Sequence, residues 1–306
     1  MRLLRKIPFV RGVIAKWENR RAMRKLLSNY ENQVDLIRST PIKSISFQER
    51  ACIYELEDGR KFAFRPDKTA GLLYSVPFAG NFEAKETAYI KNTLGKDWVC
   101  LDVGGCFGWY TSLFSQIVGE SGAVHVFEPV PDNRECLQQT LELNNCKNVA
   151  VHNFALGNSC SSETIYVPDR GVSGSLRVPK GARKVRSFEV KVRTLDDFSL
   201  TDTISRVDFI KADIEGAELM FIQGGIDVLN RFRPILLLEV QAHSTRTFGY
   251  EPRDLFLLMK SLDYVAHWVD QSGDLVCCDD VTSEGVSLPD YNFVFIPGVR
   301  SGGASL

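Results

Sequence analysis

A chain of 306 residues, 44% apolar and 25% charged, has enough apolar material for a large core, which excludes the disordered class. The net charge of −1 hides an asymmetry: residues 1–27 carry nine Lys or Arg against the single acid Glu18, so the remainder is net acidic. An acidic body argues against nucleic acid as a partner, because phosphate binding needs a basic surface.

After Pro8, the residues Val10, Val13, Ile14 and Trp17, then Met23, Leu26, Leu27 and Tyr30, recur at helical spacing among Arg and Lys. This pattern predicts a basic amphipathic helix in an extension over residues 1–40. Its apolar stripe either packs on the body of the protein or docks residues 1–27 on an anionic membrane. An Arg-rich organelle presequence is a third reading. Arg11 cuts short the Ile7–Val10 run, which disfavours a secretory signal, and no apolar run reaches the roughly 18 residues of a transmembrane helix. The eight cysteines include no C-x-x-C pair, and a chain of this size does not need a disulfide framework. The expected setting is cytoplasmic, with peripheral membrane contact as the second reading.

Residues 41–97 read as a small β and helical region. Strands are expected at Ile42–Phe47, Ala51–Glu57 and Lys61–Arg65, with the hairpin turn at Glu57-Asp58-Gly59, followed by a helix around Glu83–Thr93. From residue 98 to about 300 strands and helices alternate. Strands are predicted at Trp98–Val103, Ala123–Glu128, Asn148–Ala155, Val207–Asp213, Pro234–Val240, Tyr264–Val269 and Asn292–Ile296. Helices are predicted near Trp109–Val118, Pro131–Leu143, Glu215–Gln223 and Pro252–Ser261. Alternation of this kind predicts an α/β, Rossmann-like doubly wound sheet, mostly parallel. Between Ser159 and Val192 the pattern lapses into Gly, Ser and basic residues, an expected insertion over the ligand face.

Ligands of open α/β sheets bind beyond the carboxyl ends of the strands. After the first strand of the alternating region comes Asp102-Val103-Gly104-Gly105-Cys106-Phe107-Gly108, where glycines let the backbone approach a ligand and the next helix presents free N–H groups. Glu128 ends the second strand 26 residues beyond Asp102, where an acid accepts ribose hydroxyls. Loop and acid together point to a nucleoside ligand; an ordinary strand-to-helix turn is the bland alternative.

The ordered runs Leu101–Thr111, Val126–Pro129, Ala155–Gly157, Thr194–Asp197, Phe209–Glu218 and Pro234–Glu239 resemble the FkbM family of methyltransferases across roughly residues 98–297. The resemblance implies a class I S-adenosylmethionine fold and O-methylation of a hydroxyl on a sugar, glycolipid or other natural product. It also implies that Asp102, Gly104 and Gly108, with Gly105 in the same loop, face the methionine part of the cofactor. Glu128 would hold the ribose, and Phe154 and Ala155 would flank the adenine. The family usually has Ala-Asn where this chain has Gly105-Cys106, so an amide contact near the methionine end is absent.

A sulfonium methyl is already activated, so the chemical need is a placed nucleophile and a destination for its proton. Asp213 and Glu215 end the fourth strand and fall on one side if the strand continues; Asp213 as a helix N-cap is the bland reading. Glu239 ends the fifth strand, and His243 follows on an expected loop, as a general base, a substrate contact or a surface residue. His125, His152 and His267 fall within strands and read as structural. Asp213, Glu239 and His243 form the catalytic set; their alternative use is to hold Mg²⁺ or Mn²⁺, though no metal is predicted. Arg170–Leu176, containing Ser173 and Ser175, reads as a lid over the acceptor or as a solvated basic loop. A nicotinamide-dependent oxidoreductase and a non-catalytic, membrane-recruited cofactor-binding scaffold are the competing functions.

Overall fold

The computed structural model describes residues 40–47, 52–64, 83–168, 174–177, 185–202, 204–278, 288 and 290–298. The predicted helix within residues 1–40 and its membrane contact lie outside them, as do Ser173 and most of the basic loop. Among the described residues no helix is long and apolar enough to cross a membrane.

Strands β1 (Ile42–Phe47), β2 (Cys52–Leu56) and β3 (Lys61–Phe64) form an antiparallel sheet of three, and helix α1 (Ala84–Thr93) leads into the main sheet. That sheet contains β4 (Val99–Val103), β5 (Ala123–Phe127), β6 (Val149–His152), β10 (Phe209–Ala212), β11 (Ile235–Glu239), β12 (Tyr264–Val269), β13 (Leu275–Cys277) and β14 (Asn292–Pro297). Their spatial order is β13-β12-β14-β11-β10-β4-β5-β6. The five strands from β11 to β6 are parallel. Strand β14 inserts antiparallel to both β11 and β12. This is a Rossmann-like α/β fold with its topological switch between β4 and β10.

Covered parallel strands are apolar on both faces, and the pleat divides their side chains by a period of two. Leu101 and Val103 of β4, Ile210 and Ala212 of β10, and Leu236 and Leu238 of β11 face one cluster with Phe221, Leu255 and Phe256. Cys100, Phe209 and Leu237 face the other, with Leu113 and Phe114 of α2 (Trp109–Val118) and Phe62 of β3. The small N-terminal sheet therefore shares this second cluster. α3 (Pro131–Leu143) starts with proline in its first turn, where no N–H is needed.

The expected strand Asn148–Ala155 is two pieces, because β6 ends at His152 and β7 (Ala155–Leu156) joins a separate sheet in the order β7-β9-β8. Between them Phe154 turns inward against Phe127 and Phe198. β8 (Ser161–Pro168) and β9 (Val185–Arg193) pair antiparallel where the sequence shows only strand-like fragments. Among the described residues five further α-helices precede β12: α4 (Leu195–Thr201), α5 (Glu218–Gln223), α6 (Ile226–Phe232), α7 (Ala242–Thr245) and α8 (Pro252–Ser261). A reciprocal box between Glu251 and Asp254 caps the start of α8.

Candidate active site

A cavity of about 320 Å³ opens at the carboxyl ends of β4, β5, β10 and β11, lined by the residues that follow each strand. The glycine loop forms its floor. Gly104 and Gly105 donate their N–H groups to Phe127 O at 2.9 and 3.3 Å, locking the loop to the end of β5. Gly104 has φ +86, and a Cβ there would stand 2.1 Å from Asp213 O, so only glycine lets the loop back onto the end of β10. Asp102 is buried beneath, accepting from Thr111 Oγ1 at 2.5 Å. Burial pushes its carboxyl up from the ordinary range, opposed by Lys211 and Thr111.

Glu128 is 4% exposed, yet its carboxylate lines the cavity. The N–H groups of Cys106 and Val130 donate to Oε2 at 2.9 Å and Oε1 at 2.8 Å. Burial raises its pKa to about 7 against these bonds. The Asn133 side chain adds a third hydrogen bond, and of the roughly four accepting sites of a carboxylate one is left for a ligand hydroxyl.

Asp213 and Glu239 meet across the ends of β10 and β11 and share a hydrogen bond. Lys211 Nζ lies 3.0 Å from Asp213 Oδ2. Burial disfavours ionisation of Asp213, but the Lys211 ammonium and the bond from Glu239 outweigh it and hold the carboxyl below its ordinary value. Glu239 goes the other way, pushed up to about 10 by burial and then by the Asp213 charge and their shared bond. Gln241 Nε2 donates to Glu239 Oε1. The pair thus holds one proton and one negative charge near neutral pH, as two carboxyls in contact require.

Residues 102–266, more than half of the chain, match the model of the Methyltransferase FkbM domain. The chain belongs to the FkbM methyltransferase family. "Methyltransferase 1" of Beauveria bassiana (strain ARSEF 2860) is 27% identical over 146 residues, which are 42% of this chain and 58% of that protein. The chain therefore spans less than two thirds of that relative. Among solved structures, a methyltransferase FkbM from Methylobacillus flagellatus KT matches at 18% identity and a TM-score of 0.43, over 75% of this chain and 55% of that one. A SAM dependent methyltransferase from Aquifex aeolicus matches at 18% identity and a TM-score of 0.41, over 76% and 98%.

Within this FkbM domain the cavity wall contains Asp102, Gly104, Gly105, Glu128, Ala155, Asp213 and Glu239, seven of the residues expected from sequence. Gly108 stands behind the wall, where φ +90 closes the loop and its N–H donates to Gly105 O at 2.8 Å. Phe154 packs in the aromatic cluster behind Ala155. His243 is exposed on α7 and not in the wall, because a short helix replaces the expected loop and turns the ring outward. Among the described residues no three His, Cys, Asp or Glu side chains converge to hold a metal ion.

The strand does not continue through Glu215. Glu215 and Gly216 have φ +56 and +103, and α5 begins only at Glu218. Asp213 is not its N-cap. Instead Glu218 Oε1 accepts from Ile214 N at 3.0 Å and Gly216 N at 3.3 Å, fastening the turn that carries Asp213. Glu83, Tyr110, Asn133 and Lys211 are polar wall residues for which the sequence suggested no role. Lys211 alone had a local signal, a lysine inside an otherwise apolar strand.

Proposed function

We propose that this chain binds S-adenosylmethionine in the cavity and transfers its methyl group to a hydroxyl of a sugar, glycolipid or other small natural product. The observation that carries the reading is the Glu128 carboxylate, buried yet open to the cavity that also holds the Asp213–Glu239 pair. A ribose hydroxyl supplies the donor Glu128 lacks, and the glycine loop leaves space beside it. Family membership favours this ligand over a nicotinamide dinucleotide.

When bound, S-adenosylmethionine supplies an electrophilic methyl on a cationic sulfur. Asp213 and Glu239 orient the acceptor hydroxyl by hydrogen bonding. With that group bound, an acceptor O–H held by the two carboxyls would become strongly acidic as its oxygen took up the methyl and the carbon–sulfur bond broke. Asp213 then takes the proton, so a carboxylate of low basicity suffices. Lys211 keeps that carboxylate ionised, and Glu239 stays the hydrogen-bond donor. The neutral thioether product leaves.

Equilibrium dialysis against labelled S-adenosylmethionine and labelled NAD tests the cofactor. A screen of methyl transfer to glycans, glycolipids and polyols tests the acceptor. Binding without transfer to any acceptor would favour the scaffold reading; no binding of S-adenosylmethionine would remove both.

A further inference from the structure

Glu83 precedes the family-matched segment and stands at the start of α1 with φ +45. Its carboxylate lines the same cavity as Lys211. Two distant elements pin it: Tyr110 of α2 donates its O–H to Oε2, and Asn292 Nδ2 of β14 lies 3.5 Å from Oε1. Both oxygens retain accepting capacity. Opposite, Lys211 is 4% exposed and packs 5.0 Å from the centre of the Tyr110 ring. Among the described residues its only hydrogen-bond acceptor is Asp213. An ammonium carries three donors, so two remain.

The cavity wall thus holds a fixed carboxylate and a buried ammonium with donors to spare, both in contact with Tyr110. A ligand that satisfies both is a zwitterion, with its own ammonium toward the carboxylate and its own carboxylate toward the lysine. Charge-assisted bonds of this kind are among the strongest available to a binding site. A neutral polyol would leave the lysine donors poorly matched, and an anion would face Glu83 and Asp213.

We propose that Glu83 and Lys211 bind the α-amino and α-carboxylate groups of the methyl donor's amino-acid end, while Glu128 takes its ribose. This rests on the S-adenosylmethionine reading. Two recognition points in one cavity, one beyond β5 and one at β10 on the other side of β4, then fix the direction in which the nucleoside lies.

Calorimetric binding of three probes to the full chain tests the assignment. S-adenosylhomocysteine carries the whole amino-acid end, decarboxylated S-adenosylmethionine lacks only the carboxylate, and 5′-methylthioadenosine lacks the whole end. In E83Q, which keeps the Tyr110 hydrogen bond and the side-chain shape, affinity for the first two falls about 10- to 100-fold, and that for 5′-methylthioadenosine stays at its wild-type value. K211M weakens S-adenosylhomocysteine alone. Equal losses for all three probes in E83Q would mean a merely structural Glu83 and overturn the proposal, as would unchanged affinity for S-adenosylhomocysteine. Failure of the wild-type chain to bind any probe would instead refute the cofactor reading and the proposal with it.

Discussion

Asp213 and Glu239, side by side beyond the adjacent strands β10 and β11, share one proton, and Lys211 decides which of them keeps it. Because the ammonium touches Asp213, the negative charge resides there and the proton on Glu239. The two carboxyls are chemically alike and functionally unequal.

That inequality predicts opposite outcomes for two isosteric substitutions. D213N leaves the buried Lys211 without its counter-charge, so stability falls by about 3 kcal/mol. It also removes the proposed proton acceptor, so kcat should fall about 10²- to 10⁴-fold. E239Q replaces a neutral acid by a neutral amide that still donates, so stability changes by less than about 1 kcal/mol. Urea denaturation and single-turnover methyl transfer read both. A reversed order of effects would put the proton on Asp213.

Stability should also fall as the pH rises from about 5 to about 8. Glu128 and Glu218 are both pushed up to about 7, mainly by burial. Between the ordinary carboxyl value near 4.5 and 7 the folded chain holds protons that the unfolded chain has released. Stability therefore declines through that window, and Glu239, pushed up to about 10, continues the decline above it. A pKa displaced by one unit corresponds to about 1.4 kcal/mol, so two displacements of about 2.5 units set an upper limit of roughly 7 kcal/mol on the combined loss. The depressed Asp213 acts oppositely, but below its ordinary value of 3.8. Cofactor bound through the Glu128 carboxylate reverses that residue's share, so affinity increases as the pH passes 7. Melting curves with and without S-adenosylhomocysteine check both slopes; a melting temperature rising from pH 5 to 8 in the free protein would contradict the assignment.

Much of this geometry was legible because it is local. The glycine loop and the acids Glu128, Asp213 and Glu239 at strand ends announce themselves by residue type and strand position. The antiparallel insertion of β14 was not, since it depends on pairing with strands distant in sequence and an apolar run such as Phe293–Ile296 suits either direction. Helices α4 and α6, of seven residues each, are too short for a clear 3.6-residue period. Glu83 escaped because its role comes from contacts with Tyr110 and Asn292, and nothing in its neighbours marks it. His243 misled for the converse reason: its position after β11 suggested the ligand face, but a single helical turn decides where the ring points.

Gly104 offers the sharpest test of how the loop and β10 fit. In G104A the left-handed backbone costs about 1–2 kcal/mol. The added methyl also meets Asp213 O, a backbone atom that cannot yield without moving the Asp213 carboxylate. Both stability and S-adenosylhomocysteine affinity should drop, and D213N should not rescue either, because the clash is with main chain. Wild-type binding by G104A would show that the loop does not rest on Asp213.

Cys106 stands where the resemblance to the FkbM pattern implies an asparagine, and its backbone shows what that side chain would do here. The residue has φ +49, a region where Asn is several-fold enriched among non-glycine residues and Cys is not. Its N–H already donates to Glu128, so a change of side chain leaves that bond intact. Burial and the Glu128 carboxylate push the thiol well above its ordinary value, so it contributes neither charge nor a strong donor to the cavity. C106N should therefore relieve backbone strain, raising stability by about 0.5 kcal/mol. An amide hydrogen bond to bound S-adenosylmethionine should tighten binding about three- to tenfold. C106A, which lacks both advantages, is the control and should bind no better than wild type. If C106N also binds no better, the amide is not aimed at the cofactor, and the departure from the family pattern is neutral for affinity.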